Sequence, residues 1–257
     1  MMFLFLACTA SKETDISQQQ DSGVTQQQTE EIYCEPTDTT SLRVLYGHVG
    51  DLNSEQEGVP TGIEANGIEG VSVTSCNTGE EVISDEDGNW TIDVPDQDFV
   101  TFHVFNDGYL PSRWTIDPHY DGVGPDIKEK YSNTIGAPDF IEMIFGEADV
   151  EWDENLGILV VDVLNPGLND PETGADLLGS IVNLSSPHEM AMVVDDEERI
   201  LKEGNVLSQH SDVIFVNVEA GELDVFVETP DGSVCVYPEN IYSKAGEIFH
   251  ISVYCFN

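Results

Sequence analysis

The sequence predicts an all-β protein in which two antiparallel β-sandwich domains, joined by a short helical connector, follow a disordered N-terminal tail. Short runs of alternating apolar and polar residues recur from residue 42 onward, at roughly ten-residue spacing and with turn residues between them. A helical apolar period is found near residue 140. Residues 9–41 are rich in Gln, Ser, Thr, Asp and Glu, so they bury too little surface to offset the entropy of ordering.

The chain is extremely acidic. Its 257 residues include 50 Asp and Glu but 8 Lys and Arg, for a net charge of −42. Such a surface repels phosphate, which excludes a nucleic-acid partner. The carboxylates repel one another in water, which is typical of a protein adapted to salt. The alternative is that some carboxylates bind Ca²⁺, the one cofactor that the sequence suggests, with candidate ligands Asp85, Asp87, Asp195 and Asp196.

The first residues have the composition of an export signal. Residues 1–8 read MMFLFLAC, with small or apolar residues before Cys8. This stretch resembles the end of a bacterial lipoprotein signal peptide. The resemblance implies a lipidated Cys8 that holds the protein at a membrane, with residues 9–41 as a disordered linker. We expect a cell-envelope lipoprotein, at the outer membrane because Thr9 rather than Asp follows the cysteine, facing the periplasm or the exterior.

The cysteine count agrees with that compartment. If Cys8 is acylated, two cysteines remain in each half of the chain. The favoured disulfides are Cys34–Cys76 and Cys235–Cys255, one in each predicted domain, and disulfides are typical of proteins outside the cytosol. Four reduced, buried thiols are the alternative.

The first β-sandwich is predicted over residues 42–120. A turn at Gly88 joins two of its strands as a hairpin. The predicted strands cover residues 42–49, 70–75, 81–84, 89–94, 99–106 and 113–116.

Glycine-centred motifs recur along this first domain: Gly47-His48-Val49, Gly70-Val71-Ser72-Val73, Thr78-Gly79, Ser84-Asp85-Glu86-Asp87-Gly88-Asn89-Trp90 and Gly108-Tyr109. Together they resemble the carboxypeptidase regulatory-like domain, over about residues 42–117. The resemblance implies a seven-stranded, transthyretin-like sandwich in which Trp90 is a core aromatic. It implies no particular activity.

The connector is predicted over residues 121–155. Within it, Pro138 begins a helix that ends at Ala148 and packs between the domains, because its apolar residues have helical spacing. The second sandwich, residues 156–257, resembles a diverged copy of the first. Its predicted strands lie within residues 157–164, 174–184, 190–194, 213–218, 222–228, 233–237 and 248–254.

Catalytic motifs are missing from the sequence. His188-Glu189 begins an HExxH-like string, but Met192 stands where the second histidine is required. We find no nucleophile elbow and no phosphate-binding loop. His48, His103 and His250 alternate within predicted strands and are interpreted as structural residues.

The sequence therefore predicts a non-catalytic, lipid-anchored envelope protein with a structural or adhesive role. A surface protein or a polysaccharide would bind its loops, such as residues 51–69 or 195–212. The alternative is a carbohydrate- or Ca²⁺-binding module, in which the tryptophans would form a sugar platform rather than core. A third hypothesis is an enzyme with an unrecognised acidic site. The tryptophans are Trp90, Trp114 and Trp152.

Overall fold

The computed structural model describes residues 41–52, 66–120, 131–166, 177–195, 200–207, 212–239 and 241–256. Across these ranges the chain forms 17 β-strands and one α-helix of 10 residues, which confirms the predicted all-β class. None of the helices in this part of the chain is long and apolar enough to cross a membrane.

The first half of the chain supplies seven strands. They are β1 (Leu42–Asp51), β2 (Ser72–Ser75), β3 (Glu81–Ile83), β4 (Asn89–Pro95), β5 (Val100–Phe105), β6 (Ser112–Ile116) and β7 (Tyr131–Ile135).

The second half begins with helix α1 (Pro138–Glu147), close to its predicted bounds. Ten strands follow it: β8 (Gly157–Leu164), β9 (Ile181–Leu184), β10 (Met190–Asp195), β11 (Ile200–Glu203), β12 (Asp212–Val218), β13 (Gly221–Leu223), β14 (Val225–Glu228), β15 (Val234–Val236), β16 (Ile241–Ser243) and β17 (Ile248–Phe256).

The first half is a two-layer sandwich. The sheet β4-β1-β7 packs on strands β6, β5, β2 and β3 of a larger sheet, with Trp90, Phe102 and Trp114 in the core between them. Alternation builds this core: along β4, Trp90, Ile92 and Val94 are buried. Strand β7 was not predicted. It lies inside the predicted connector, yet it pairs in parallel with β1.

One large sheet passes through both halves, in the order β11-β10-β12-β8-β17-β6-β5-β2-β3. Strand β17 lies between β8 and β6 and is parallel to both. The pairing places His250 opposite Val160 on one side and Trp114 on the other. The expectation of purely antiparallel sheets was therefore wrong at three pairings, those of β17 with β8, of β17 with β6 and of β1 with β7.

Different layers of structure cover the two faces of this sheet. In β17, Phe249 and Ile251 belong to the core of the second half, beneath the small sheets β9-β14 and β13-β16. Ile248 points to the other face and packs with Ile141 and Phe145 of α1. The first-half layer β4-β1-β7 covers that same face farther along, over Trp114. A single sheet thus serves as a wall of every core in the described body.

An ion pair is buried where the halves meet. The Arg113 guanidinium of β6 donates from Nε to Glu247 Oε1 (3.1 Å) and from Nη2 to the carbonyl oxygen of Tyr242 (2.7 Å). Its carbon Cζ lies 4.4 Å from the ring centroid of Phe249, a cation–π geometry. Arg113 is 2% exposed, so one of the chain's few cations joins the two halves from inside.

The predicted Cys235–Cys255 disulfide is confirmed. It joins directly opposed residues of β15 and β17. Cys76 is disulfide-bonded as well. Its predicted partner Cys34, like the predicted lipidation site Cys8, lies outside the described residues.

Candidate functional site

A network of charged side chains lies at the end of β4 and β6. Arg43 of β1 donates from Nε to Asp96 Oδ1 (3.0 Å) and from Nη1 to the carbonyl oxygen of Pro118 (3.2 Å). His119 Nδ1 is 2.7 Å from Asp117 Oδ1, and its Nε2 is 3.4 Å from Asp96 Oδ1. The imidazole therefore lies between two carboxylates.

Aromatic rings continue this network toward β17. The hydroxyl oxygen of Tyr254 accepts a hydrogen bond from the Asp117 amide (3.1 Å). The Tyr254 ring lies 6.2 Å from that of Phe99 and 5.1 Å from that of Tyr120. Tyr120 also lies 5.5 Å from Phe256. Four rings thus follow one another across the surface, with Tyr254 as the buried member.

Strand β15 extends this surface with aliphatic side chains. The β15–β17 register places Val234 opposite Phe256 and Val236 opposite Tyr254. Because side chains alternate along a strand, Cys235 points to the core while its two neighbours point outward. Val234 is 71% exposed, Tyr120 45% and Val236 43%. We call these exposed or half-buried residues the aromatic patch: Phe99, Tyr120, Val234, Val236 and Phe256.

The network and the patch together favour binding over catalysis. Both ring nitrogens of His119 face carboxylate oxygens, so neither is left to activate a serine or cysteine nucleophile. The charged network instead fixes residues 117–119 against β1 and β17, and so positions Tyr120. Exposed aromatic and aliphatic side chains over a rigid sheet are typical of contact surfaces.

The residues predicted to bind Ca²⁺ have other neighbours or fall outside the description. Asp85 Oδ1 accepts hydrogen bonds from the amides of Asp87 (3.0 Å) and Asn89 (2.8 Å), which closes the β3–β4 turn. Asp195 ends β10, and Asp196 lies outside the described residues. The part of the chain that is described gathers no group of three potential metal ligands. Ca²⁺ binding stays a prediction.

The predicted sugar platform is not formed by two of the three tryptophans. Trp90 is 3% exposed and Trp114 0%, so both rings are core residues and neither can stack on a sugar. Trp152 is half-buried beside a cleft of about 490 Å³, whose carboxylates are Glu142, Asp149 and Glu151. Within the predicted binding loops, 51–69 and 195–212, residues 53–65, 196–199 and 208–211 lie outside the described residues, and β11 occupies part of the second loop.

The three strand histidines have different surroundings. His48 is buried, whereas His103 is exposed on β5. The Nε2 atom of His250 is buried without a hydrogen-bond partner, and burial lowers the pKa of this imidazole to about 3. His250 is therefore neutral in the folded protein at physiological pH.

Sequence reasoning missed the aromatic patch and its network. Arg43, Asp96 and Tyr254 lie far apart in the chain, and only long-range pairing of β1, β4 and β17 brings them together. The available signal was the dense segment Asp117-Pro118-His119-Tyr120, which places charged and aromatic residues directly after a strand.

Comparison with known proteins identifies no family. No family model matches the chain, and no curated protein matches it. The resemblance to the carboxypeptidase regulatory-like domain therefore stays a prediction.

Solved structures with similarity to this chain include pilins. The major pilin protein T-13 from Streptococcus pyogenes is 11% identical, with a TM-score of 0.25 over 86% of this chain and 98% of that one. GBS52, the minor pilin of Streptococcus agalactiae, is 10% identical, with a TM-score of 0.28 over 84% and 96%. The Bacillus anthracis TIE protein is 14% identical, with a TM-score of 0.24 over 84% of this chain and 34% of that one. TM-scores and identities this low assign no function to this chain.

Proposed function

We propose that this chain is a non-catalytic module of the bacterial cell envelope, held at a membrane by a lipid on Cys8 and acting as a structural or adhesive element. The observation that carries this proposal is the large sheet shared by both halves, with a disulfide on its middle strand β17 and a buried ion pair at the seam. Such bracing suits a rigid body that presents a surface at a distance from its anchor.

Two further features support the envelope location. A disulfide on β15 and β17 is typical of oxidising compartments. The apolar stretch before Cys8 resembles a lipoprotein signal, and the polar residues 9–41 have the composition of a flexible linker. In this proposal the linker separates the folded body from the lipid surface.

The experiment is to express the full chain in a Gram-negative host and to measure its intact mass from separated membranes, with and without reductant. We expect acyl mass on a chain beginning at Cys8, recovery with the outer membrane, and four thiols that react only after reduction. The control variant Cys8→Ser should lose the acyl mass and leave the membrane fraction. A soluble, unacylated wild-type chain with free thiols would refute the proposal.

A further inference from the structure

We propose that the aromatic patch is a docking site for a basic protein segment, an extended stretch whose aliphatic or aromatic side chains are flanked by Lys or Arg. This inference rests on the interaction role proposed above and specifies its surface and its partner. It uses residues of the folded body alone, so it stands independently of the lipid on Cys8.

The apolar side chains of the patch form a continuous surface. Ring contacts link Phe99, Tyr254, Tyr120 and Phe256, and the strand register adds Val234 and Val236 beside them. Val234 is the most exposed of the large apolar side chains described. Isolated apolar residues on a surface are ordinary, but a contiguous group that includes tyrosine and phenylalanine marks an interaction site.

The charge around the patch favours a basic partner. Exposed carboxylates border the patch residues along the chain, and we call them the rim: Asp98 precedes Phe99, and Asp231 and Glu239 lie on either side of β15. The nearby Arg43 guanidinium is engaged by Asp96, and the sequence contains no Lys or Arg from Glu203 to Ser243. A basic segment would therefore be attracted and oriented by this rim. A second copy of the chain brings another net charge of −42, which opposes self-association.

The side chains of the aromatic patch are held in place before any partner binds. The disulfide fixes β15 to β17, and the hydrogen bond from the Asp117 amide holds Tyr254 beneath Tyr120. Side chains that are already fixed lose little conformational entropy when a partner binds. The surface is thus suited to specific contact as well as to nonspecific attraction by charge.

The test uses the full chain carrying Cys8→Ser and a fluorescently labelled peptide of alternating Val and Lys, with binding followed by anisotropy. A second peptide replaces every Lys by Glu, and a third replaces every Val by Ser. The patch variant is Tyr120→Ser/Val234→Ser. The matched control is Ile83→Ser/Phe105→Ser, which removes two apolar residues of similar exposure that lie opposite Ser72 on β2.

We expect the Val/Lys peptide to bind the parent and the matched control within about two-fold of each other, and the patch variant at least about ten-fold more weakly. The Glu and Ser peptides should bind weakly, and added NaCl should weaken binding of the Val/Lys peptide. Melting temperatures close to that of the parent would show that both variants are folded.

Three outcomes would overturn the inference. One is equal loss in the patch variant and the matched control, or loss in neither, which indicates attraction by net charge alone. Another is dimerisation of the parent through the patch in sedimentation experiments, which makes the occupant a second copy. The third is binding of a neutral oligosaccharide, lost in the patch variant, when the Val/Lys peptide does not bind.

Discussion

Arg113 and Glu247 are the pair on which the seam between the halves depends. Replacing Arg113 by Met leaves the Glu247 carboxylate buried without its counterion. We expect Arg113→Met to lower the free energy of unfolding by about 3–5 kcal/mol at neutral pH, measured with urea. The double variant Arg113→Met/Glu247→Leu should recover much of this loss, because it removes both charges. A double variant as unstable as the single one would contradict this account.

The same pair has a defined pH dependence. Burial raises the pKa of Glu247, and Arg113 opposes that rise, so Arg113→Met should raise this pKa further. An acid whose pKa is raised by folding holds its proton more tightly in the folded state, so ionising it lowers the free energy of unfolding. This loss of stability disappears as the pH falls toward the ordinary value of 4.5, because the acid becomes protonated. The stability deficit of Arg113→Met relative to wild type should therefore shrink on acidification and persist above neutral pH.

His250 has the opposite effect on the pH dependence of stability, because its burial makes the folded protein less stable as the pH falls. Its pKa falls from 6.5 to about 3 on burial, so below pH 6.5 the unfolded chain binds a proton that the folded chain does not. The stability tied to the neutral imidazole is present above pH 6.5 and is lost as the pH falls toward 3. We expect His250→Gln to show a weaker dependence of the unfolding free energy on pH across this window. An NMR titration of the folded protein that gave His250 a pKa near 6.5 would contradict the assignment.

At the scale of elements, β15 depends on its disulfide. The bridge closes a segment of 20 residues, for which chain entropy predicts about 3 kcal/mol of stabilisation. Cys235→Ala/Cys255→Ala should lower the unfolding free energy by about this amount, and reductant should lower the stability of the wild type by more than that of the variant, which keeps the disulfide of Cys76. An unchanged urea midpoint would show that β15 is held by strand pairing without the bridge.

Elements with a strong local period were predictable, and elements defined by distant partners were not. The alternation in β4 and the helical stripe of α1 are visible in the sequence because each buries one side against a core. Strand β7 was missed because its five residues, Tyr-Ser-Asn-Thr-Ile, alternate weakly and its partner β1 lies far upstream. The parallel pairing of β17 leaves no turn between partners that could reveal it.

The site was less predictable than the fold for a related reason. Trp90 was expected in the core because of the resemblance to the carboxypeptidase regulatory-like domain, and the alternation along β4 explains its burial. The aromatic patch instead depends on the proximity of Tyr120, Phe256 and Val234, which three separate parts of the chain provide. Composition excluded a nucleic-acid partner, whereas geometry was needed to locate the surface.

For the whole molecule, the shared strand β17 predicts that both halves unfold together. Ile251 pairs with Thr115 and with Val161, so Ile251→Pro removes a backbone donor from the middle of the large sheet. We expect hydrogen-exchange protection to fall in β5 and β12 alike. The control is Ile83→Pro on the edge strand β3, where the register directs the amide away from β2 and the effect should remain local. Protection of β5 that survives Ile251→Pro would indicate that the halves are independent.

The position of β17 along the chain also sets the timing of assembly. Strand β6 is complete at Ile116, but its neighbour β17 begins at Ile248, roughly 130 residues later. At a synthesis rate of roughly 5–20 residues per second, β6 waits on the order of ten seconds for its partner. An unpaired strand edge during that interval is a template for aggregation. Mutual repulsion between highly acidic nascent chains would keep neighbouring copies apart until β17 is synthesised. The net charge that destabilises the folded protein would thus protect the incomplete chain from aggregation.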